Sequence, residues 1–324
     1  MFEELTPDAI ETVRASLESD VLTTPTVRFH GTQIEDAAPG AEVYLKLEMF
    51  QYTGTFKARG AMNVVRNLDV EARSRGITAV SAGNHAIAAA YAAAKFGTSA
   101  RIFMPKTAKQ VRIDKATSYG AELIFCDTQT EMFERAEQAQ QDEGRTFVHP
   151  FEGPLTVQGT ATVGLEIHQQ APQLDIMILP IGGGGLCAGV AAFLKQVQPQ
   201  IKIVGVEPEG ANTMALSFAN GGPVVKESVS TIADSLAPPK SEPYTYSVCR
   251  QFVDELIQVP DELLIQGMRV LRDDLKLMVE PAGAATTAAL LSGQLGALTG
   301  LRVGAIVCGA NIAFDDYQQL VGSD

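Results

Sequence analysis

The chain has 324 residues, 46% of them hydrophobic, which suffices for a sizeable core and suits two domains better than one. Its 38 acidic against 25 basic residues leave a net charge of -13, which repels phosphate backbones and anionic lipids and argues against nucleic-acid or membrane partners. Cys126, Cys187, Cys249 and Cys308 show neither a C-x-x-C pair nor zinc-like spacing, and their apolar flanks read as buried free thiols of a reducing, cytoplasmic compartment.

The acidic start Met1-Phe2-Glu3-Glu4-Leu5 is unlike a signal or transit peptide. Thr6-Pro7 opens a helix, a capping residue followed by proline at the first helical position, with Ile10, Val13 and Leu17 on one face. Residues 43–47 read as a strand, and a helical segment follows Lys57 to about Asn67. From there strands and helices alternate. The strands are expected at 77–80, 100–104, 122–126, 146–148, 175–181, 201–206 and 303–307, and the helices at 84–96, 108–119, 131–143, 160–170 and 186–196. Such alternation implies an α/β fold of mostly parallel sheets flanked by helices, and the runs around Ile178 and Ile306 are apolar throughout, as buried parallel strands are. Residues 76–148 form a compact set of strand–helix units, expected as a small mobile domain inserted into a larger one of residues 1–75 and 149–324. Residues 221–243, rich in Gly, Pro and Ser, read as an irregular excursion, and 261–275 as a helix with Leu264, Met268 and Leu271 on one face. No apolar run reads as a membrane span.

Three separated motifs carry chemistry. Thr53-Gly54-Thr55-Phe56-Lys57-Ala58-Arg59-Gly60-Ala61 sets one lysine between an aromatic and a small residue; desolvated, such an amine becomes a nucleophile and a base. Ser81-Ala82-Gly83-Asn84-His85 ends a strand and opens an Ala-rich helix, which suits a carboxylate; taken alone it is equally a plain helix cap, and His85 a structural residue. Gly182, Gly183, Gly184 and Gly185 lie between a strand and a helix beginning near Leu186, so that free N–H groups and a helix dipole face a phosphate; a tight turn is the plainer alternative. Cys308 follows the last buried strand, as a core thiol or as a group facing a ligand at the sheet edge, and Glu207 ends another strand, as an ordinary charged residue or a metal ligand. A lysine, an amide-rich loop and a tetraglycine turn together are what an enzyme needs to hold pyridoxal phosphate.

The combination resembles the serine/threonine dehydratase group of fold-type II pyridoxal-phosphate enzymes (tryptophan synthase β-like), which includes serine racemase. The resemblance runs from about Thr24 to about Asn311. Thr55–Ala61 is similar to the family's lysine motif, Ser81–His85 to its Ser-x-Gly-Asn-His loop and Gly182–Gly185 to its phosphate loop. His149-Pro150-Phe151, Gln158-Gly159-Thr160, Glu207-Pro208 and Glu280-Pro281 match further.

The resemblance implies that Lys57 holds the cofactor as a Schiff base and moves the substrate's α-proton. It places Phe56 against one ring face, Asn84 at the ring hydroxyl, and the backbone N–H groups of Gly182, Gly183, Gly184, Gly185 and Leu186 at the phosphate. Glu280 joins the cofactor-binding set, and Cys308 is a neutral partner beside the pyridine nitrogen. Ser81, Ala82, Gly83, Asn84 and His85 are the expected substrate-binding residues. Some relatives bind a divalent ion through a Glu, a backbone carbonyl and an Asp. Glu207 and Ala211 match the first two, but Thr213 stands at the third, so no metal site is expected. The chain stops about a dozen residues after Asn311, without the regulatory domain of biosynthetic threonine dehydratases, so feedback inhibition by isoleucine is not expected.

The implied activity is a cytoplasmic, homodimeric ammonia-lyase that eliminates water from a β-hydroxy amino acid, with L-threonine or L-serine as the default substrate. The alternatives are 3-hydroxyaspartate as substrate, an amino-acid racemase on the same cofactor, a ligand-binding protein that keeps the fold without catalysis, and a nicotinamide-dependent dehydrogenase. Lys57 argues against the last two. Ala82 argues against the racemase, because its methyl group has no proton to exchange.

Overall fold

Ten strands carry the fold: β1 (Thr26–Arg28), β2 (Glu42–Leu47), β3 (Ile77–Val80), β4 (Ala100–Pro105), β5 (Glu122–Cys126), β6 (Thr146–Phe147), β7 (Ile176–Pro180), β8 (Lys202–Pro208), β9 (Glu255–Val259) and β10 (Arg302–Val307). The structure is a computed structural model that describes residues 2–171 and 173–322; residues 1, 172, 323 and 324, which the expected domain ranges include, lie outside the described residues.

Strands β3 and β7 are buried along their whole length, because each runs between two parallel neighbours and under helices on both faces. They belong to different sheets. One has six strands in the order β1-β2-β10-β7-β8-β9, parallel except for the antiparallel edge strand β1; the other has four parallel strands in the order β5-β4-β3-β6. All four strands of the smaller sheet come from residues 77–147.

The apolar side chains divide in the same way. A large core spans the six-stranded sheet and the helices Pro154–Gln170 and Gly185–Val197. A second core lies beneath the Ala-rich helix Asn84–Lys95, and to it Ala58, Ala61, Met62 and Val65 of helix Lys57–Arg66 also contribute. Helix Lys57–Arg66 also packs on Pro154–Gln170, so it is wedged between the two halves. Its Arg59 is wholly buried, held by Glu48 (2.8 Å) and Glu166 (2.8 Å), and Glu166 is shared with Lys46 (2.7 Å). Burial disfavours the guanidinium charge, but the two carboxylates outweigh it and raise its pKa.

Most expected elements are present within a residue or two of their expected ends. The helix expected at 160–170 begins earlier, at Pro154, where proline takes the first position. The helices Thr213–Asn220, Pro243–Phe252 and Phe314–Val321 and the strands β1 and β9 were not read from sequence. Between the first two of those helices, residues 221–242 are irregular except for a short turn at Asp234–Leu236 and an antiparallel bridge from Val225 to Lys240.

Candidate active site

The site forms at the C-terminal ends of parallel strands. Strand β2 leads through Glu48–Phe50 into the lysine segment, β7 into the glycine loop and β10 into Cys308, and these three strands are contiguous. In the smaller sheet β3 leads into Ser81–His85, and the adjacent β6 leads into His149-Pro150-Phe151. Two sheet rims, rich in the sequence motifs, therefore meet across one crevice.

Lys57 is the first residue of its helix. Thr55 bridges to Gly309, the Phe56 N–H donates to the Cys308 carbonyl (3.3 Å) and the Lys57 N–H to Thr55 Oγ1 (3.0 Å). These bonds lay the segment along the chain leaving β10 and set Lys57 beside Cys308. The ammonium donates to the Pro150 carbonyl and lies 5.2 Å from the centre of the Phe56 ring. Burial lowers its pKa to about 8, against the pull of Cys308 and Glu280. Burial also raises the Cys308 thiol far above neutrality, so it stays protonated and donates to the Ala282 carbonyl (3.2 Å).

The glycine loop needs glycine for separate reasons. A Cβ on Gly183 would fall 2.2 Å from the Phe151 ring, one on Gly185 would fall 2.6 Å from the Phe151 carbonyl oxygen, and Gly184 has φ of +91°. Among the described residues, none of the backbone N–H groups from Gly182 to Leu186 has a protein acceptor, although most of this loop is buried. The helix dipole of Gly185–Val197 adds partial positive charge at the same place. Unmatched buried donors at a helix start fit a phosphate group.

Phe56, Lys57, Asn84, Gly182, Gly183, Gly184, Gly185, Leu186, Glu280 and Cys308, the full set expected around a cofactor, line one slot. Asn84 is fixed by its neighbours: its Nδ2 donates to Glu280 (2.6 Å) and Ser235 (3.1 Å), and its Oδ1 accepts from Asn311 (2.8 Å). Glu280 is fully buried, and burial raises its pKa despite nearby Arg112.

The slot opens into a larger cleft of about 520 Å³. Lys57, Ser81, Ala82, Gly83, Asn84 and His85 border it. Ser81 Oγ accepts from the Gly83 N–H (3.0 Å) and keeps its own proton to donate; Ala82 is exposed. His85 Nε2 lies 2.7 Å from the Val148 carbonyl, which fixes the proton on Nε2. His149 Nδ1 accepts from the N–H groups of Glu152 (2.9 Å) and Phe151 (3.3 Å). Burial holds both imidazoles down to about 3, so both are neutral at ordinary pH.

One wall of the cleft is aromatic. Phe133, His149 and Phe151 line it, and Phe147, outside the lining, links Phe133 to His149; successive centroids are 6.5, 5.7 and 4.6 Å apart. Met132, Pro105, Val80 and Pro238 add apolar surface. The two cations at the border besides Lys57 are engaged: Arg112 grips Asp234 (2.6 and 3.0 Å), and Lys240 pairs with Glu242 (2.6 Å) while lying over the Phe133 ring.

Sequence reasoning did not single out Arg112, Phe133, Asp234 or Ser235. Arg112 and Phe133 lie one residue each within amphipathic helices, and Asp234 and Ser235 lie in the stretch read as irregular. Only the three-dimensional approach of that stretch to the smaller sheet gives them a place.

A family model described as pyridoxal-phosphate dependent enzyme matches residues 17–309. The chain belongs to this family. Among its relatives, a phenylserine dehydratase of Ralstonia pickettii is 48% identical over 303 residues, covering 94% of this chain and 92% of that protein. An L-threonine ammonia-lyase of Thermotoga maritima is 38% identical over 283 residues, covering 87% of this chain and 70% of the other. The solved structure of maize serine racemase superposes with a TM-score of 0.90 at 36% identity, over 96% of this chain and 95% of that one. The fold is that of the pyridoxal-phosphate dependent enzymes, and their cofactor is pyridoxal phosphate. The unmatched N–H groups, the buried amine and the neutral thiol around the slot suit that group's phosphate, aldehyde and ring nitrogen. No described helix is long and apolar enough to cross a membrane.

Proposed function

We propose that the protein is an ammonia-lyase that removes water from a β-hydroxy-α-amino acid and yields a 2-oxo acid and ammonia. The observation that carries this reading is the Lys57 amine, its pKa lowered by burial, at a cleft that Ala82 also borders; by the resemblance, Ala82 stands where related racemases carry the serine that serves the other face. Bound pyridoxal phosphate supplies the electron sink that acidifies the α C–H bond. Lys57 accepts the α-proton, and the β-hydroxyl takes up one proton as it departs, so that the net loss is one water. The enamine product takes up water and ends as 2-oxo acid and ammonium, so that water is lost once and regained once. Ser81, Gly83, Asn84 and His85 hold the substrate carboxylate by N–H and O–H donors, and neutral Cys308 faces the ring nitrogen. Gly182, Gly183, Gly184, Gly185 and Leu186 hold the phosphate, Phe56 covers a ring face, and Glu280 orients Asn84 toward the ring hydroxyl. Racemisation needs a second proton carrier on the other face, and Ala82 supplies none.

L-Threonine and L-serine fit this chemistry. The aromatic wall favours a second reading of the same reaction, in which the substrate bears an aryl group on Cβ, as in 3-phenylserine. A methyl or hydrogen substituent would leave Phe133 and Met132 uncovered, whereas a phenyl ring would bury apolar area against them at roughly 25 cal/mol per Å². A β-carboxylate, as in 3-hydroxyaspartate, would meet no unpaired cation, because Arg112 and Lys240 are already held.

The same reading takes residues 76–148 as a small domain that closes over the substrate, and 1–75 with 149–324 as the domain that holds the cofactor. It takes the chain as a homodimer, supported by exposed Phe50, Tyr52 and Phe314, and as cytoplasmic, supported by four buried free thiols. The test is a panel of L-threo-3-phenylserine, L-threonine, L-serine and 3-hydroxyaspartate, assayed for 2-oxo acid and for inversion at Cα. Release of 2-oxo acid, fastest for phenylserine, is expected. Inversion faster than ammonia release would overturn the lyase reading.

A further inference from the structure

The turn after β8 lies where some relatives hold a divalent ion, and its residues do not fit one. Glu207 is fully buried, and both its carboxylate oxygens accept backbone N–H groups, from Met214 (2.7 Å) and Ala215 (2.8 Å). Thr213 brings no charge and donates its hydroxyl to the Pro238 carbonyl (3.1 Å). A cation is nevertheless present. The Lys226 ammonium donates to the Gly210 carbonyl (3.0 Å) and to Asn212 Oδ1 (2.8 Å), on the same turn as Glu207, Ala211 and Thr213.

We propose that Lys226 is a positioning residue for one wall of the substrate cleft, which it fixes to the turn after β8 without a divalent ion. The argument rests on what Lys226 joins. Its own backbone N–H donates to the Pro239 carbonyl (2.7 Å), and Val225 bridges to Lys240. Gly210, which receives the ammonium, also accepts the Ser230 N–H (3.1 Å). The irregular stretch is therefore stapled to the turn after β8 at both of its limbs. Between these staples it presents Glu227, Val229, Asp234, Ser235 and Pro238 to the cleft. This stretch has only one short turn of its own, so its shape depends on such ties. An ammonium on a covalent stem does not dissociate, and it makes the wall independent of cation supply.

The experiment has three arms. In the first, wild-type melting temperature is measured in chelator and in magnesium or calcium at fixed ionic strength, and no shift is expected; stabilisation by either ion would overturn the proposal. In the second, Lys226→Met is expected to be cut faster by proteinase K within residues 221–242, and to raise KM about 5–10-fold with kcat changed less than about 2-fold. Proteolysis and KM both equal to wild type would overturn it. In the third, Lys226→Arg, which keeps the charge and the donors, is expected to restore wild-type resistance to proteinase K and a KM within about 2-fold of wild type. A folded Lys226→Arg variant as readily cut and as weak in KM as Lys226→Met would overturn the role of the ammonium's contacts; if it does not fold, the first two arms decide. Only the KM readout rests on the lyase reading. A protein without lyase activity therefore fails that reading while melting and proteolysis still judge Lys226.

Discussion

Lys57 owes its reactivity to where its helix begins. The Thr55 hydroxyl and the Cys308 carbonyl hold the preceding turn, and the ammonium is left among Phe56, Pro150 and apolar surroundings that lower its pKa to about 8. Cofactor capture by the apoprotein needs the neutral amine, so its rate should rise with pH and level off above about 8, followed by absorbance after mixing with pyridoxal phosphate. Below that pH the ammonium predominates and capture slows about tenfold per unit. Lys57→Ala should lower kcat by at least about 10³-fold. With both neighbouring imidazoles held near 3, His85 and His149 should add no inflection near pH 6.5. On the proposed reading, Ala82 bears on the outcome rather than the rate. Ala82→Ser adds a hydroxyl at the border of the cleft, and the ratio of racemisation to elimination should rise, about 10-fold or more by chiral chromatography beside 2-oxo acid release. An unchanged ratio would mean that the residue before Gly-Asn-His has no part in proton transfer.

At the scale of elements, the loop after β7, the proposed phosphate site, leaves little room for side chains. Gly183→Ala would push a methyl group into the Phe151 ring, and cofactor affinity should fall about 10–100-fold, a loss of ~1.4–2.8 kcal/mol measured by fluorescence titration. Gly222→Ala, where nothing lies within 4 Å, is the matched control and should leave affinity unchanged. This loop was legible in the sequence because a buried strand, four glycines and a helix are local features, and so were Lys57 and Ser81–His85. The helices Thr213–Asn220 and Pro243–Phe252 were not legible. The first is only eight residues and is held by Glu207 at its start, a contact made across a turn. The second has Glu152, from far along the chain, accepting its Tyr244 and Thr245 N–H groups (2.6 and 3.0 Å). The aromatic wall was legible only in part: Phe147, His149 and Phe151 follow at every second residue, but Phe133 comes from helix Gln129–Glu143 and meets Phe147 through the tertiary fold. Side chains that meet across sheets leave no periodic trace.

For the whole molecule, one tie across the cleft is an ion pair. Arg112, on helix Gln110–Ser118 beside the smaller sheet, reaches over the cleft to Asp234 and lies 3.6 Å from Glu280. Arg112 is buried while Asp234 is half exposed, so the aspartate is the accessible half of the pair. If residues 76–148 close on substrate, this ion pair is part of the closed form. Asp234→Asn should then lower kcat/KM about 10-fold, ~1.4 kcal/mol, chiefly through KM, and the loss should grow little with added salt because the guanidinium is shielded. Crystals of the holoenzyme with and without a non-reacting substrate analogue give the second measure; identical placement of the two sheets in both would count against closure.

The two rims divide labour in a way that bears on descent. The amine, the glycine loop and the thiol all belong to the six-stranded sheet, whereas Met132 and Phe133 ride on helix Gln129–Glu143, which lies against the other sheet and contributes nothing to the slot. Substitutions along that helix would alter which side chain is welcomed without disturbing how the bond is broken. A lineage carrying this architecture can inherit its chemistry unchanged and still diversify its diet, one solvent-facing helix at a time.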